Sequence, residues 1–319
     1  SSEYDSDPSA KSLKIIIGIH LKDFVLYCKS YSRDFLRLKR LLNSIQKFNA
    51  DRIPFYISTP HADYDLLVQL IGSEGYQWVS DESIIQANTS VSAGIEKNKS
   101  GSLTQQIIKS EFWRLGLCEN YVCLDSDCIF IKNFYKSDFL ADDGNPYTVI
   151  YQNKEYFQLA VDRGFAKAPL QLIAEGDRVK QLFGRLGPNY YCPCPPFIWS
   201  AKVWNSLDES YLKPKGLTFW DICTPEHPET LLYLEALLNF KAIPLHPIEQ
   251  LFRVYYYDWH FFLLRRSGET LDKLKQNYLG VIYQSSWDLS LDYGASQKSL
   301  ASRALKKLKR FGRYLQSFI

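Results

Sequence analysis

Segment 24–79 alternates short apolar runs with amphipathic stretches, and this alternation restricts the possible folds more than any other feature of the sequence. Between the apolar runs, apolar residues at spacings of three and four predict a helix after Asp34 and a second helix over 63–71. The runs themselves predict buried strands over 24–28, 54–58 and 76–79. Strands that alternate with helices are typical of a parallel sheet with crossover helices. We therefore expect the α/β class, with a central, mostly parallel sheet flanked by helices.

The remaining elements are predicted from the same periodicities. The stretch 84–102 is rich in Ser, Asn and Lys, which favours a long surface loop. Helices are expected over 104–117, 168–186 and 229–240, and strands over 120–131, 147–151, 254–264 and 281–285. No internal repeat or linker is evident, so we expect one continuous domain.

Composition excludes several classes of protein. The chain has 319 residues, of which 46% are hydrophobic and 23% charged, as in an ordinary globular domain. Its net charge of +3 gives no indication of nucleic acid binding, and no run approaches the ~18 apolar residues that span a bilayer. Seven cysteines without the paired C-x-x-C spacing of structural zinc sites predict buried free thiols. Free thiols are typical of a reducing compartment, so we expect a cytoplasmic protein.

Two carboxylates follow an apolar strand in the segment Tyr121 to Phe130. Asp125 and Asp127 flank Ser126 where that strand ends, and ligands of open parallel sheets bind at the carboxyl ends of strands. A pair of acids at this point needs a cation or hydrogen bonds to compensate its charge. A hard divalent ion, Mn²⁺ or Mg²⁺, that also contacts a diphosphate would supply that compensation. A solvated turn is the alternative interpretation.

The arrangement resembles the GT-A glycosyltransferases, whose D-x-D motif follows a central strand. More narrowly, it resembles an uncharacterised family of bacterial GT-A-like proteins. Three features carry the resemblance: Tyr31 and Asp34 after the first strand, the helical motif Gln105-Gln106-x-x-Lys109, and the strand that ends in the D-x-D. The resemblance extends over roughly 24–285. It implies a GT-A-like, Rossmann-related sheet followed by a C-terminal part that binds the acceptor.

The resemblance assigns roles to individual residues. The loop after the first strand would contact the nucleotide, and Gln105 and Lys109 would face the donor sugar or diphosphate. Tyr31 is able to stack on a base, and Asp34 to accept hydrogen bonds from uracil or ribose. Asp127 would ligate the metal, while Asp125 would contact sugar hydroxyls and share the ion. The residues expected to contact the nucleotide or its sugar are Ser30, Tyr31, Arg33, Asp34, Gln105, Asp125 and Ser126.

Simpler structural roles stay open for several of these residues. Asp34 is also a suitable helix N-cap, and a lysine such as Lys109 is most often solvated. Trp199, expected near the acceptor, suits core packing equally well.

Gln284 or Ser286 could reach a phosphate where other GT-A enzymes often use a histidine. His260 is a more distant possibility for that contact.

Glu229 lies at the start of the predicted helix 229–240, where the helix dipole alone would favour a carboxylate. The related family has a Glu four residues before a Tyr at a comparable point, and Glu229 and Tyr233 reproduce that spacing. Glu229 is therefore our candidate general base for the acceptor hydroxyl, with Glu226 as an alternative. Pro228 and Thr230 differ from the family's neighbouring residues.

The segment 299–319 combines an apolar stripe with basic residues and contains no acid. The stripe consists of Leu300, Ala304, Leu308, Phe311, Leu315 and Phe318, and the basic residues are Arg303, Lys306, Lys307, Lys309, Arg310 and Arg313. This pattern is typical of an interfacial helix on an anionic membrane, here the inner face. Packing of the same stripe on the chain's own domain is the alternative.

These observations predict a metal-dependent, hexosyltransferase-like enzyme that transfers a sugar from a nucleotide-sugar, with a UDP-sugar favoured. The acceptor would be a hydroxyl of a glycan or glycolipid. We divide the chain into a flexible lead-in (1–13), a nucleotide-sugar-binding half (14–135), an acceptor-binding half (136–298) and the basic helix (299–319). Two rivals stay open: a metal-dependent nucleotidyltransferase, and a nucleotide- or carbohydrate-binding protein on a degenerate glycosyltransferase fold.

Overall fold

The computed structural model describes residues 22–92, 94–150, 154–162, 164, 167–190, 195–256 and 258–283, together with positions 304, 305, 308, 309, 311, 312 and 315. It is a mixed α/β structure with a central, mostly parallel sheet flanked by helices, so the predicted class is confirmed.

Strands and helices follow one another along most of the described chain. The strands are β1 (Lys22–Lys29), β2 (Phe55–Thr59), β3 (Gln77–Ser80), β4 (Cys118–Leu124), β5 (Cys128–Phe130), β6 (Tyr147–Val149), β7 (Phe197–Ser200), β8 (His246–Ile248), β9 (Phe252–Tyr255) and β10 (Gly280–Tyr283). The helices are α1 (Phe35–Phe48), α2 (Tyr64–Ile71), α3 (Asp81–Gln86), α4 (Gly101–Glu111), α5 (Lys154–Asp162), α6 (Lys167–Phe183), α7 (Ala201–Leu207), α8 (Phe219–Ile222), α9 (Glu229–Phe240), α10 (Asp258–Arg266) and α11 (Leu271–Asn277).

The central sheet has the strand order β3-β2-β1-β4-β7. β1, β2, β3 and β4 are parallel to one another, and β7 pairs antiparallel with β4 at one edge. A smaller sheet has the order β5-β10-β9, and β6 pairs with β8. Because the carboxyl ends of β1 and β4 are neighbours, the residues that follow these two strands meet at one edge of the sheet.

The two faces of the central sheet are covered by different helices, because side chains of a strand point alternately to opposite faces. On β1, Val25 and Tyr27 pack with buried residues of α3, α4, α7 and α9. Phe24, Leu26 and Cys28 pack on the other face with α1, α2 and the smaller sheet. β1 is therefore buried on both sides, which explains its continuous apolar run.

Two sequence predictions are wrong in part. The expected loop over 84–102 begins inside α3, whose Ile84 and Ile85 are buried, and its last two residues belong to α4. The expected strand over 254–264 ends at Tyr255, and α10 follows. Its aromatic residues favour a strand by propensity, but His260 and Leu264 are both buried and lie one helical turn apart.

The expected strand over 120–131 is two strands in different sheets. β4 belongs to the central sheet and β5 to the smaller one, so the chain changes sheets at the D-x-D. The second half of the chain also contributes to both sheets, since β7 pairs with β4 and β10 pairs with β5. The domain boundaries given above stay a prediction.

Two further predictions concern cysteines and the membrane. Cys28, Cys118, Cys123, Cys128 and Cys223 are buried free thiols, as expected. Among the described residues, no helix is both long enough and apolar enough to cross a bilayer.

Candidate functional site

The D-x-D motif forms the turn between β4 and β5. The backbone N–H of Cys128 donates to the carbonyl of Asp125 over 3.0 Å, which closes a four-residue turn. Ser126 is buried in this turn, while Asp125 and Asp127 are half-buried. Both carboxylates line the same cavity, so this turn presents its acids to a pocket.

The pocket has a volume of about 340 Å³ and lies where β1 and β4 end. Its residues come from the loop after β1, from α1, from α4, from the D-x-D turn and from the start of α9. They are Tyr31, Asp34, Arg37, Ser102, Gln105, Gln106, Lys109, Asp125, Ser126, Asp127 and Glu229. Eight of these were sequence candidates. Three were not: Arg37, Ser102 and Gln106.

The loop after β1 is tied to the D-x-D turn by a pair of serines. Ser30 Oγ lies 3.0 Å from Ser126 Oγ, and both side chains are buried. The next residue, Tyr31, lines the pocket and is 37% exposed. A tyrosine ring in this position is available to stack on a flat ligand.

Asp34 pairs with Arg37 instead of capping α1. Its side chain makes no capping hydrogen bond, and the Arg37 guanidinium donates to Asp34 Oδ1. Partial burial raises the pKa of Asp34, although Arg37 opposes this effect. The sequence signal that could have identified Arg37 is its position three residues after Asp34, because residues three apart are neighbours on one helix face.

Lys109 is buried and not solvated, which excludes the simpler interpretation given above. It is 5% exposed, and its ammonium donates to Asp125 Oδ1. Burial alone would lower the pKa of Lys109, but the charge of Asp125 raises it and the pKa stands above its ordinary value. Asp125 therefore stabilises the charged form of Lys109 beside the D-x-D.

Gln105 and Gln106 both line the pocket from α4. The Cys223 thiol donates to Gln106 Oε1 over 3.7 Å, which links α4 to the segment before α9. Gln105 lies one helical turn before Lys109, as the i, i+4 spacing predicted.

Glu229 is the first residue of α9 and is 5% exposed. Burial raises the pKa of Glu229, although the charge of Lys109 opposes this effect. A carboxylate with a raised pKa is a stronger base than an ordinary glutamate. Glu226 is exposed and does not line the pocket. Tyr233 is buried in the core, where its hydroxyl accepts a hydrogen bond from the Ser200 N–H over 2.8 Å.

Besides Glu226, four described candidates do not line the pocket, and one of them, Ser30, is fully buried at the start of the loop after β1. Arg33 is exposed on the loop after β1. Trp199 is buried in the core against Tyr121 and Trp204, so core packing accounts for it. His260 is buried in α10, where burial lowers its pKa to about 4. Gln284 and Ser286 lie outside the described residues.

The pocket suits a divalent ion that is shared with a substrate. Mg²⁺ is commonly bound by one or two carboxylates together with substrate phosphates, and the D-x-D supplies two carboxylates. Within the part of the chain that the structure describes, no three His, Cys, Asp or Glu side chains cluster closely enough to hold an ion alone. A cation already sits at this position, because the Lys109 ammonium binds Asp125. The two D-x-D carboxylates would therefore hold a metal only together with further ligands, such as a phosphate or water, and in competition with the Lys109 ammonium.

Comparison with known proteins identifies a matching family and a number of similar solved structures. The profile of DUF6492, a family of unknown function, matches residues 10–211. No curated protein matches the sequence. The chain is similar to the solved structure of the galactosyltransferase LgtC in complex with donor and acceptor sugar analogues. The two are 12% identical over 88% of this chain and 99% of that chain, with a TM-score of 0.47.

Proposed function

Because the chain belongs to DUF6492, a family of unknown function, we propose from the site itself that the protein is a metal-dependent glycosyltransferase. It would transfer a sugar from a nucleotide-sugar donor to a hydroxyl acceptor. One observation carries the proposal. A single pocket at the carboxyl ends of β1 and β4 contains the D-x-D carboxylates, an exposed tyrosine, a buried lysine and a buried glutamate.

The donor side of the pocket is formed by the loop after β1. Tyr31 stacks on the base, and Asp34, fixed by Arg37, accepts hydrogen bonds from the nucleoside. Ser30 and Ser126 hold this loop against the D-x-D turn. Arg33, which is exposed, would contact the nucleotide from outside the pocket. A UDP-sugar is the favoured donor.

The diphosphate would lie between the D-x-D turn and α4. Asp127, together with Asp125, would hold Mn²⁺ or Mg²⁺, which neutralises the charge of the departing diphosphate when bound. Gln105 and Lys109 reach the same space from α4. Their role is to bind the donor sugar and to stabilise the charge that develops as the nucleotide leaves.

Glu229 acts on the acceptor. The acceptor oxygen forms a bond to the anomeric carbon, and the bond from that carbon to the diphosphate oxygen breaks with its electron pair on the diphosphate. The proton of the acceptor hydroxyl passes to the Glu229 carboxylate. Burial in the pocket raises the pKa of Glu229, which suits this transfer.

The acceptor is a glycan or glycolipid, and the C-terminal segment brings the enzyme to the inner face of a membrane. The described positions of this segment are helical, and Leu308, Phe311 and Leu315 of the stripe are between 50% and 69% exposed. Exposure of this size argues against the alternative in which the stripe packs on the chain's own domain. Anionic lipid is the partner that this sequence suits, because 299–319 carries only basic charges.

A donor screen tests the proposal. UDP-, GDP-, CMP- and dTDP-sugars would be compared for thermal stabilisation of the protein, with and without Mn²⁺. We expect one nucleotide class to raise the melting temperature, and to do so more strongly with the ion. Release of nucleoside diphosphate would then separate an enzyme from a degenerate binding protein, and release of pyrophosphate would indicate a nucleotidyltransferase.

A further inference from the structure

Lys109 is held in the pocket by contacts at both ends of the residue. Its ammonium donates to Asp125 Oδ1, and its backbone carbonyl accepts from the Tyr121 hydroxyl over 3.1 Å. Tyr121 is a fully buried residue of β4. The helix α4 is therefore fixed against the strand that leads into the D-x-D, and Lys109 is directed at one of its two acids.

The ammonium and a divalent ion need the same carboxylate. A buried lysine is stable only when an anion compensates its charge, and Asp125 supplies that anion. A metal bound by Asp125 would lie beside a second positive charge if Lys109 stayed where it is. Either the metal ion therefore binds weakly to Asp125, or the Lys109 ammonium moves to pair with another anion.

We propose that Lys109 is an exchangeable internal counter-ion of the D-x-D, which gives up Asp125 to the metal when a nucleoside diphosphate enters the pocket. This inference rests on the proposed function. The diphosphate supplies the new anion for the ammonium, so metal and nucleotide bind cooperatively. By linkage, each ligand raises the affinity of the other by the same factor. The protein alone would bind the metal weakly, and the complete site forms only with donor present.

The variant Lys109→Met removes the charge and keeps the length of the side chain. Without the competing ammonium, Asp125 is available to the ion at once. We expect the affinity of the free protein for Mn²⁺ to rise by about 5- to 150-fold, the usual range of coupling between two ligands. The enhancement of Mn²⁺ binding by nucleotide should shrink correspondingly.

The chain offers a control in a second buried lysine that is paired with an aspartate. Lys29 Nζ lies 2.7 Å from Asp81 Oδ2, and both residues are 5% exposed. Neither residue lines the pocket. Lys29→Met thus removes a buried lysine from its aspartate, as Lys109→Met does, but at a pair that does not involve a D-x-D acid. Lys29 also donates to the Ser30 carbonyl over 2.6 Å, so the control includes any indirect effect through the loop after β1. We expect it to leave Mn²⁺ affinity unchanged.

The experiment is a titration of Mn²⁺ into the wild type and the two variants, followed by calorimetry and electron paramagnetic resonance. Each titration is repeated with UDP and with GDP. The proposal predicts tight metal binding without nucleotide in Lys109→Met alone, and a strong nucleotide effect in the wild type and Lys29→Met. If Lys109→Met does not fold, Lys109→Gln, which is neutral and still able to donate to Asp125, should give the same direction of change.

Two other results overturn the proposal in distinguishable ways. Equal Mn²⁺ affinity in wild type and Lys109→Met, with an equal nucleotide effect, would refute the exchange while leaving the metal site and the proposed function intact. Failure of all proteins to bind Mn²⁺, even with nucleotide, would refute the exchange together with the metal dependence of the proposed function.

Discussion

Ser30 Oγ lies 3.0 Å from Ser126 Oγ, and this contact joins the end of β1 to the D-x-D turn that follows β4. The two residues are 96 positions apart in the sequence, and both are buried. The relative position of the loop after β1 and the D-x-D turn therefore depends on a direct side-chain contact.

A double-mutant cycle with Ser30→Ala and Ser126→Ala measures that contact. A hydrogen bond between neutral groups contributes about 0.5–1.5 kcal/mol, so we expect a coupling of that size in the free energy of unfolding. The measurement is urea unfolding of the wild type, both single variants and the double variant. Strictly additive effects would show that the two hydroxyls do not stabilise each other.

Tyr31→Ala should weaken nucleotide binding without affecting the fold. Stacking of a base on an aromatic side chain contributes about 1–3 kcal/mol, which corresponds to a loss of about 5- to 150-fold in affinity. Tyr64 provides the control, because it is equally exposed at 37% but does not line the pocket. Calorimetry with the nucleotide that stabilises the protein should show a loss of affinity in Tyr31→Ala and none in Tyr64→Ala. Equal losses in the two variants would mean that Tyr31 does not stack on the base.

The central sheet was predictable because its pattern is local. The apolar run of β1 and the stripe of α1 each fit one periodicity, and the helix after Asp34 buries Phe35, Leu38, Leu41, Leu42 and Ile45 as expected. The helix predicted over 229–240 has those same bounds. Where the pattern was aromatic, propensity failed, since the segment that contains His260 forms a helix.

The pairs inside the site were not predictable in the same way. The Lys109–Asp125 contact depends on how α4 packs against β4, and a spacing in sequence does not contain that information. The ion pair of Asp34 is a second example. The position of Asp34 suggested a helix cap, but its carboxylate forms an ion pair with Arg37, which lies one turn later. Ser102 gave no signal at all, because a serine near a helix start is common.

Glu229→Gln should strongly reduce the rate of transfer and leave donor binding intact. Loss of a general base lowers turnover by about 10²- to 10⁴-fold, whereas the amide keeps the shape of the side chain. Turnover and calorimetric donor affinity would be measured on the same preparation. A simultaneous collapse of donor affinity would assign Glu229 to the nucleotide site or to folding.

Glu229→Gln should also change how stability depends on pH. Burial raises the pKa of Glu229 in the folded protein above the ordinary value of 4.5. Between these two pKa values the folded state binds more protons than the unfolded state, so this group makes the wild type less stable as pH rises through the window. Above the window the Gln variant should therefore have the higher melting temperature, with a smaller difference at pH 4. The opposite order would mean that Lys109 outweighs burial.

The membrane prediction concerns the exposed apolar residues of the C-terminal segment. Leu308→Ser should lower binding to anionic phosphatidylserine vesicles by about tenfold or more, since burying a leucine contributes about 1.5–3 kcal/mol. Leu186, which is 92% exposed and lies three residues after the end of α6, provides the control as Leu186→Ser. Co-sedimentation at low salt measures both variants, together with a chain that ends at Gln297, which should stay in solution. Equal binding by all of these proteins would contradict a membrane role for this segment.

The proposed function depends most directly on Asp127, and its test is donor turnover by Asp127→Asn in the presence of Mn²⁺. The substitution removes the charge with little change of shape, so the protein should stay folded. We predict a fall in nucleoside diphosphate release by at least about 10²- to 10³-fold, comparable to the loss of a key charge-stabilising group. Asp272→Asn, at a side chain 91% exposed on α11, should be as active as the wild type. Undiminished turnover in Asp127→Asn, or full wild-type activity in excess chelator, would contradict a metal-dependent transferase.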